Sequence, residues 1–394
     1  MVVIVIGAGI GGLSAALALE RLGTEAVVCE RAPVLEEIGA GVALWPHALH
    51  ALDRIGVGAS IRALAGPAVD AQMRRPDGKV LQHLAATELV ERWGAPFLTI
   101  HRAELQLALA DAYGRDRIRL DHELLSHQAD VDGVHAVFAN GEVIEGEAVV
   151  GADGIRSRVR AGLLKDGPPR YRGDTAWRAV VVRPPGFAVD LPGFETIGQG
   201  RRFGATPMSG GRIQWFAGDA CPAGGVDGPA PRDELMAMFG TWHDPIPELI
   251  QATPISLIRT DLYDRPPARR LADGRVALLG DAAHPMGPDL ALGAGLAIED
   301  GEALARAVAR HSDVASAFRA YEQARLPRVR RIARRVALIG AAARSRKPFI
   351  ERVRDGSMAL VPQRVARRQL DSIVGRQPGA DGSAAGARRD RLPL

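Results

Sequence analysis

The chain of 394 residues contains little cysteine and little lysine. Its two cysteines, Cys29 and Cys221, cannot form a disulfide framework or a zinc-ligand spacing. The sequence therefore predicts a cytoplasmic protein without a metal site. Lys and Arg together number 50, yet lysine occurs only at Lys79, Lys165 and Lys347.

Long apolar runs are absent apart from Val2–Leu19. No basic region precedes this run, which excludes a typical signal peptide. It is interrupted by four glycines, Gly7, Gly9, Gly11 and Gly12. Its first part is β-branched and its second part is rich in Ala and Leu, so we expect a strand followed by a helix rather than stable membrane insertion.

Basic and acidic residues are unevenly distributed along the chain. The formal net charge is +4, but residues 301–394 carry 21 basic and 8 acidic side chains, whereas residues 1–300 carry 29 and 38. With 47% hydrophobic and 24% charged residues, the chain can bury a large core. Because no nucleic-acid-binding motif accompanies the basic segment, we expect it to pair with the acidic body and to solvate helix faces, and we expect no nucleic-acid partner.

The glycines belong to a dinucleotide-binding pattern, Gly7-Ala8-Gly9-Ile10-Gly11-Gly12. Gly7 permits a tight turn, Gly9 lets the backbone approach a pyrophosphate, and Gly12 lets the helix pack closely on the strand. Glu30 ends the second strand, eighteen residues after Gly12, where an acid can bind ribose hydroxyls. Arg31 beside it can contact the adenine or a phosphate; the alternative is a glycine-rich turn without a ligand.

The order of elements predicts an α/β fold with a Rossmann-like parallel sheet. The strand, turn, helix and second strand (Glu25–Glu30) form a βαβ unit. Alternating strands at Trp177–Val182 and Arg212–Ala217 predict an inserted antiparallel sheet. A buried parallel strand at Arg275–Asp281 and a helix at Ala294–Ala309 then return to the first domain.

We expect a discontinuous cofactor domain and an inserted substrate domain. The predicted boundaries are 1–70, 96–167 and 268–314 for the cofactor domain, 71–95 and 168–267 for the substrate domain, 315–377 for C-terminal helices, and 378–394 for a disordered tail.

Two further acids follow predicted strands. Asp153-Gly154 ends one strand and Gly280-Asp281 ends another. Ligands bind at the carboxyl ends of parallel strands, so Asp281 is placed to hold ribityl hydroxyls of a flavin. The helix after it would direct its positive N-terminus at the flavin.

In this order and spacing, the three motifs resemble those of the single-component FAD aromatic hydroxylases, which have the para-hydroxybenzoate hydroxylase fold. The salicylate hydroxylase, urate hydroxylase and zeaxanthin epoxidase branch is the most similar, and the resemblance covers roughly residues 1–345. Further segments that carry it are Gly39–Val42, Trp45–Ala48, His101–Leu105, Trp177-Arg178, Gly200–Gly204, Trp242–Pro245 and Ala297–Asp300.

The resemblance implies an enzyme, an FAD-dependent monooxygenase. NADH or NADPH would reduce FAD as a transient co-substrate, and O2 would form a C4a-hydroperoxide that hydroxylates a small aromatic or other electron-rich ring. The monomer or a homodimer would be the working unit. The implied cofactor-binding residues are Gly7, Gly9, Gly12, Glu30, Arg31, Gly41, Val42, Arg102, Asp153, Gly280, Asp281, Pro288, Gly293 and Ala294.

Three residues are candidates for the catalytic site. His47 would assist phenol deprotonation, or is a hydrogen-bonded residue at a helix start. Arg202 would anchor an anionic substrate, or is a surface strand arginine, and Arg178 has the same two interpretations. The resemblance places Asp289 near the flavin. His284, in contrast, is interpreted as structural or adjacent to FAD.

The chain departs from the branch at two places. Ala291-Leu292-Gly293 stands where the branch has Gly-Gln-Gly, which removes a hydrogen-bonding side chain near the flavin. Gln214 stands where the urate enzyme has tyrosine, which argues against urate. The alternatives are a reductase of polyprenyl chains or other alkenes, a halogenase, which would need a further lysine near the site, and a non-catalytic flavin-binding protein.

Overall fold

The computed structural model describes residues 1–36, 39–187, 191–254, 257–361 and 363–374. The predicted tail at 378–394 lies outside the described residues. The strands are β1 (Val2–Ile6), β2 (Glu25–Cys29), β3 (Gly41–Leu44), β4 (Ala71–Arg74), β5 (Val80–Leu84), β6 (Leu98–His101), β7 (Leu124–Ala129), β8 (Val134–Phe138), β9 (Val143–Gly146), β10 (Ala148–Gly151), β11 (Arg170–Val182), β12 (Gly193–Gly198), β13 (Arg201–Met208), β14 (Arg212–Asp219), β15 (Ile258–Asp264), β16 (Ala272–Asp273) and β17 (Val276–Leu278).

The helices are α1 (Ile10–Arg21), α2 (Pro46–Arg54), α3 (Gly58–Leu64), α4 (Ala86–Trp93), α5 (Arg102–Tyr113), α6 (Arg158–Leu164), α7 (Pro231–Phe239), α8 (Ile246–Gln251), α9 (Gly280–Ala283), α10 (Gly293–Arg310), α11 (Val314–Ala343), α12 (Pro348–Leu360) and α13 (Gln363–Val374). Short 3₁₀ turns lie at Arg115–Arg117, Ser209–Gly211 and Pro288–Leu290. Within these described segments, no helix is long and apolar enough to cross a membrane.

The first sheet has the strand order β16-β17-β10-β1-β2. The four strands β17, β10, β1 and β2 are parallel, and β16 adds an antiparallel edge. The β-branched sequence of β1 is buried from Val3 to Ile6, as expected for a strand covered on both faces. The predicted parallel sheet is thereby confirmed.

The second sheet has the order β15-β11-β14-β13-β12-β4-β5. Its pairs are antiparallel except for β12 with β4, which are parallel. The strands β4 and β5 come from an earlier part of the chain than the other five strands. One face packs Trp215 and its neighbours on helices α7 and α8. The opposite face, with Arg178, Gln214 and Phe216, is called the site face below because it lies against segments of the first domain.

Two predicted elements need correction. The strand expected at Arg275–Asp281 spans only β17, because Gly280 adopts a φ of +55° and starts the short helix α9. The strand expected from Trp177 begins at Arg170, so β11 is longer than predicted. The predicted helix at Ala294–Ala309 is confirmed with one more residue at each end.

Candidate functional site: a flavin cleft at the carboxyl edge of the parallel sheet

The parallel strands bring the separate motifs to one edge. Because β1, β2, β10 and β17 run in the same direction, their carboxyl ends meet there. Gly7 follows β1, Glu30 follows β2, Asp153 lies two residues after β10, and Gly280-Asp281 follows β17. The sheet therefore assembles residues that are far apart in sequence.

Three glycines of the turn after β1 and the start of α1 differ in whether a side chain would fit at their positions. A Cβ at Gly12 would overlap the carbonyl oxygen of Gly7, and a Cβ at Gly7, which has a φ of +107°, would lie 2.5 Å from the Ala152 oxygen. A Cβ at Gly9 would have no described atom within 4 Å. Gly7 and Gly12 are thus required by the fold itself, whereas Gly9 faces open space in front of the N-terminus of α1, where a pyrophosphate can approach.

Glu30 is held next to this turn. Its carboxylate accepts hydrogen bonds from the backbone N–H groups of Ala8, at 2.8 Å, and Ala32, at 3.0 Å. These bonds fix the acid at the end of β2, where it can reach ribose hydroxyls. Arg31 beside it is exposed.

Asp153 has one satisfied and one unsatisfied oxygen. Oδ2 accepts backbone N–H groups of Arg158 at 2.7 Å and Val159 at 3.3 Å, at the start of α6. Oδ1 is buried and has no partner among the described groups. Burial raises the pKa of this carboxyl, against which the hydrogen bonds act. An unpaired buried acceptor beside Gly7 is a group that a ligand donor can satisfy.

Asp281 lies in the short helix α9, just after β17. The residue is exposed, yet the surrounding protein partly desolvates its carboxyl and raises its pKa, while the charges of His284 and Arg102 lower it. Arg102 begins α5 and its side chain packs against Gly39. The charge of Arg102 thus acts on Asp281, and both residues are exposed, so a polar ligand chain can reach them.

A buried ionic cluster fixes the turn that carries Asp281. One oxygen of Asp300 accepts the Gly280 N–H at 3.0 Å and contacts His284 Nε2 at 2.5 Å, while Arg325 Nε donates to the other oxygen at 2.6 Å. Burial alone would raise the pKa of Asp300, but Arg325 and His284 outweigh it and bring the value to about 2. Since His284 is bonded to a fully buried carboxylate, the contacts agree with a structural role for it.

A second buried cluster joins the turn Pro288–Leu290 to the site face. Asp289, whose side chain is fully buried, contacts Arg202 through Oδ1 and Arg172 at 2.8 Å through Oδ2. Arg202 also donates to Glu195 at 2.6 Å. Burial raises the pKa of Glu195, although Arg202 opposes this. Arg202 is therefore already neutralised within the protein, and exposed Pro288 lies at the edge of this turn.

His47 lies in α2 against the first turn of α10. Its ring is buried, and neither nitrogen has a hydrogen-bond partner among the described residues. A Cβ at Gly295 would lie 2.6 Å from Nε2. Burial lowers the pKa of His47 to about 4, so the imidazole is neutral at physiological pH.

The remaining predicted cofactor residues lie on β3 and on the first turn of α10. Gly41 and Val42 begin β3 and are half-buried, and a Cβ at Gly41 would lie 2.5 Å from Cγ of Gln214 on the site face. Gly293 and Ala294 form the first turn of α10 and are half-buried. Leu292 precedes them and is buried with Leu296, Ile332, Val336 and Ile373, so it packs in a core cluster rather than opening toward the cleft.

Three site residues were not singled out from the sequence. Arg172 was missed because β11 begins earlier than predicted, and its partner Asp289 is 117 positions away. Glu195 and Asp300 gave no local signal either, although Asp300 belongs to the segment Ala297–Asp300. The described residues contain no group of three or more His, Cys, Asp or Glu side chains that could hold a metal ion.

These features fit FAD. The open position at Gly9, the N-terminus of α1 and the acid Glu30 suit an ADP moiety, and Asp281 with Arg102 suits a ribityl chain. The family model described as "FAD binding domain" matches residues 1–182 and 248–336. The chain belongs to this FAD-binding family. Its relatives at 37–39% identity over 83–84% of the chain include a monooxygenase/isomerase and a hydroxylase. It is an FAD-dependent monooxygenase.

The relatives of this FAD-dependent monooxygenase span most of its length. It is 39% identical to the aurachin C monooxygenase/isomerase of Stigmatella aurantiaca, over 83% of this chain and 86% of the relative. It is 37% identical to 3-hydroxybenzoate 6-hydroxylase 1 of Aquipseudomonas alcaligenes, over 84% and 86%. A Klebsiella pneumoniae protein solved with FAD and uric acid superposes with a TM-score of 0.88 at 31% identity, covering 95% of this chain and 97% of that one.

Proposed function

We propose that this monooxygenase hydroxylates a small aromatic ring, using NADH or NADPH as reductant and O2 as oxidant. The observation that carries the proposal is that the site face of the second sheet borders the segments suited to FAD: Gln214 lies against Gly41 of β3, and Arg202 contacts Asp289 in the turn before α10. The 3-hydroxybenzoate named for one relative and the uric acid bound in the Klebsiella pneumoniae structure support an aromatic or heteroaromatic substrate.

Bound FAD would supply O2 activation with electrons from the nicotinamide co-substrate. Gly9, Glu30, Arg102 and Asp281 would hold the cofactor, and the first-turn N–H groups of α10 would stabilise negative charge on the reduced flavin ring. Asp153, whose Oδ1 has no described partner, would accept a hydrogen bond at the same edge.

His47 is proposed to bind the reacting hydroxyl. A neutral imidazole can accept a proton at one nitrogen and release one at the other, and both nitrogens of His47 are free of described partners. The rigid Arg172–Asp289–Arg202 cluster is proposed to form the wall of the substrate site. Its internal pairing keeps the wall fixed and excludes water from the reacting ring.

The test measures substrate-stimulated oxidation of NADH and of NADPH by the FAD-loaded protein across phenols, hydroxybenzoates, N-heteroaromatics and polyketide-like phenols. We expect a product heavier by one oxygen atom for at least one ring, labelled when ¹⁸O2 is supplied. Reduction of the flavin without oxygen transfer to any ring would contradict the hydroxylase proposal, and turnover without O2 would favour a reductase. We further infer a cytoplasmic location, which the two unbridged cysteines support.

A further inference from the structure

Arg178 is a half-buried arginine whose charge is not neutralised by the fold. Burial lowers the pKa of its guanidinium, and no neighbouring charge acts against this. Among the described residues no hydrogen-bond acceptor or carboxylate pairs with it, in contrast to Arg172 and Arg202 on the same face. A desolvated cation without a partner costs free energy. An anionic group of a ligand that pairs with Arg178 would offset this cost.

Arg178 points to the site face and not to the core under α7 and α8. Its strand neighbours Trp177 and Ala179 belong to that core, and side chains alternate along a strand. Across the sheet, Arg178 pairs with Phe216 of β14, and Phe216 pairs with Gly204 of β13. These three residues form one row, called the Arg178 row.

The Arg178 row lies between two contacts with the cofactor domain. On one side, the neighbouring row on this face contains Arg202, which contacts Asp289 in the turn before α10. On the other side, the neighbouring row contains Gln214, which lies against Gly41 of β3. Both contacting segments contain predicted cofactor-binding residues, Gly41 in one and Pro288 in the other, so the Arg178 row lies on the part of the site face beside the cofactor.

Phe216 provides an aromatic surface in this row. A Cβ at Gly204 would overlap the ring of Phe216, so the ring lies across the neighbouring strand instead of projecting from the sheet. The Arg202 guanidinium carbon lies 6.0 Å from the ring centroid on this face. A planar ring can pack on this surface while its substituent reaches Arg178.

We propose that Arg178 is the residue that anchors the substrate, and that the substrate ring carries an anionic oxygen, as a carboxylate or an ionised hydroxyl. The inference rests on the proposed hydroxylation and narrows its substrate class. Arg202 has its charge satisfied by Glu195 and Asp289, and Arg172 pairs with Asp289, whereas Arg178 has no described carboxylate beside it. A charge-assisted hydrogen bond of this kind is worth about 1.5–3 kcal/mol, or roughly 10–100-fold in affinity.

The test compares ligand pairs that differ in charge but little in shape. Dissociation constants are measured from the change in flavin absorbance of FAD-loaded protein without reductant, for 3-hydroxybenzoate against 3-hydroxybenzamide and for 4-nitrophenol, as its phenolate, against 4-nitroanisole. We expect the anion of at least one pair to bind about tenfold more tightly or better than its neutral partner. The pair that responds identifies the anionic group.

Variants assign the preference to one side chain. Arg178→Gln should abolish the anion preference and Arg178→Lys should retain part of it, whereas Arg319→Gln, at an exposed position of α11, should leave it unchanged. FAD content and thermal midpoint verify folding, and the lysine variant keeps the charge if the glutamine variant does not fold. The proposal is overturned if neither anion is preferred by the wild type, or if Arg178→Gln keeps the wild-type preference. Because no reductant is present, these affinities are independent of turnover and hence of the outcome of the hydroxylation test.

Discussion

A hydrogen bond of 2.8 Å joins Oδ2 of Asp289 to Nη2 of Arg172, although the two residues are 117 positions apart in sequence. Both side chains are almost completely buried. The bond connects β11 of the second sheet to the turn that precedes α10, so it fixes the site face relative to the helix that is expected to point at the flavin.

Asp289→Asn should destabilise the FAD-saturated protein by about 3 kcal/mol. The substitution removes a buried charge that pairs with both Arg172 and Arg202, and leaving buried charges uncompensated typically costs about 3–5 kcal/mol. Urea unfolding measures the difference. The matched control is Asp264→Asn, because Asp264 lies 3.9 Å from Arg172 but is 43% exposed, and it should change stability by less than about 1 kcal/mol. Equal effects of the two variants would argue against the buried pair.

Substitutions in the glycine turn should separate folding from cofactor binding. Gly9→Ala adds a methyl group in open space and should change the free energy of unfolding by no more than about 1 kcal/mol, the scale of an N-cap effect. It should nevertheless raise the dissociation constant of FAD at least tenfold, because the methyl group occupies the approach of the pyrophosphate. Gly12→Ala should instead lower the thermal midpoint, since the new Cβ overlaps the backbone of Gly7. Flavin fluorescence titration and thermal unfolding provide the two measurements, and unimpaired FAD binding by Gly9→Ala would refute the placement of the pyrophosphate.

His47 should make stability depend on pH. Its folded pKa of about 4 lies below the usual value of 6.5, so the unfolded chain binds more protons between these values and stability falls as pH decreases. The loss attributable to His47 should be about 2 kcal/mol at pH 5 relative to pH 8. Urea unfolding at both pH values should show that His47→Gln reduces this difference. His135→Gln, at a side chain that is 43% exposed, should not, and identical pH dependence in both variants would mean that His47 is not desolvated.

Asp281→Asn should weaken FAD binding without unfolding the protein. The residue is exposed in the cleft, and its carboxylate is expected to accept hydrogen bonds from the ribityl hydroxyls. Loss of one charge-assisted hydrogen bond costs about 1.5–3 kcal/mol, so the FAD dissociation constant should rise roughly 10–100-fold. Asp273→Asn, on the edge strand β16, serves as the control with unchanged affinity. A wild-type affinity in Asp281→Asn would exclude this acid from the flavin site.

The sequence predicts those parts of the site that depend on local patterns. The turn at Gly7, the acid after β2 and the pair Gly280-Asp281 could be placed because strand ends of a parallel sheet converge, whatever the rest of the chain does. The contact of Arg172 with Asp289 could not, because it depends on where β11 begins and on a register shift between Tyr171 and Thr175. Such a shift changes the direction of the side chains and leaves no mark in the periodicity of the sequence.

Whether a charged side chain is paired also depends on contacts that the local sequence does not show. Arg178 and Arg202 are indistinguishable as strand arginines in the sequence, and only their neighbours separate them. Arg202 has the buried Asp289 and the half-buried Glu195 beside it, and Arg178 has a phenylalanine and a glycine across the sheet. Long-range pairing, rather than residue type, decides which cation remains for a ligand.

The route of the chain between the two sheets also restricts how substrate preference can change. The chain enters the second sheet at β4, leaves it after β5, returns at β11 and leaves again after β15. Neither sheet is one continuous stretch of sequence, so no single pair of recombination points transfers the substrate compartment whole to another flavoprotein. We therefore expect new substrate specificities in this chain to arise by point substitutions at a few neighbouring strand positions. The second sheet itself would remain connected through several chain crossings to the part that binds FAD.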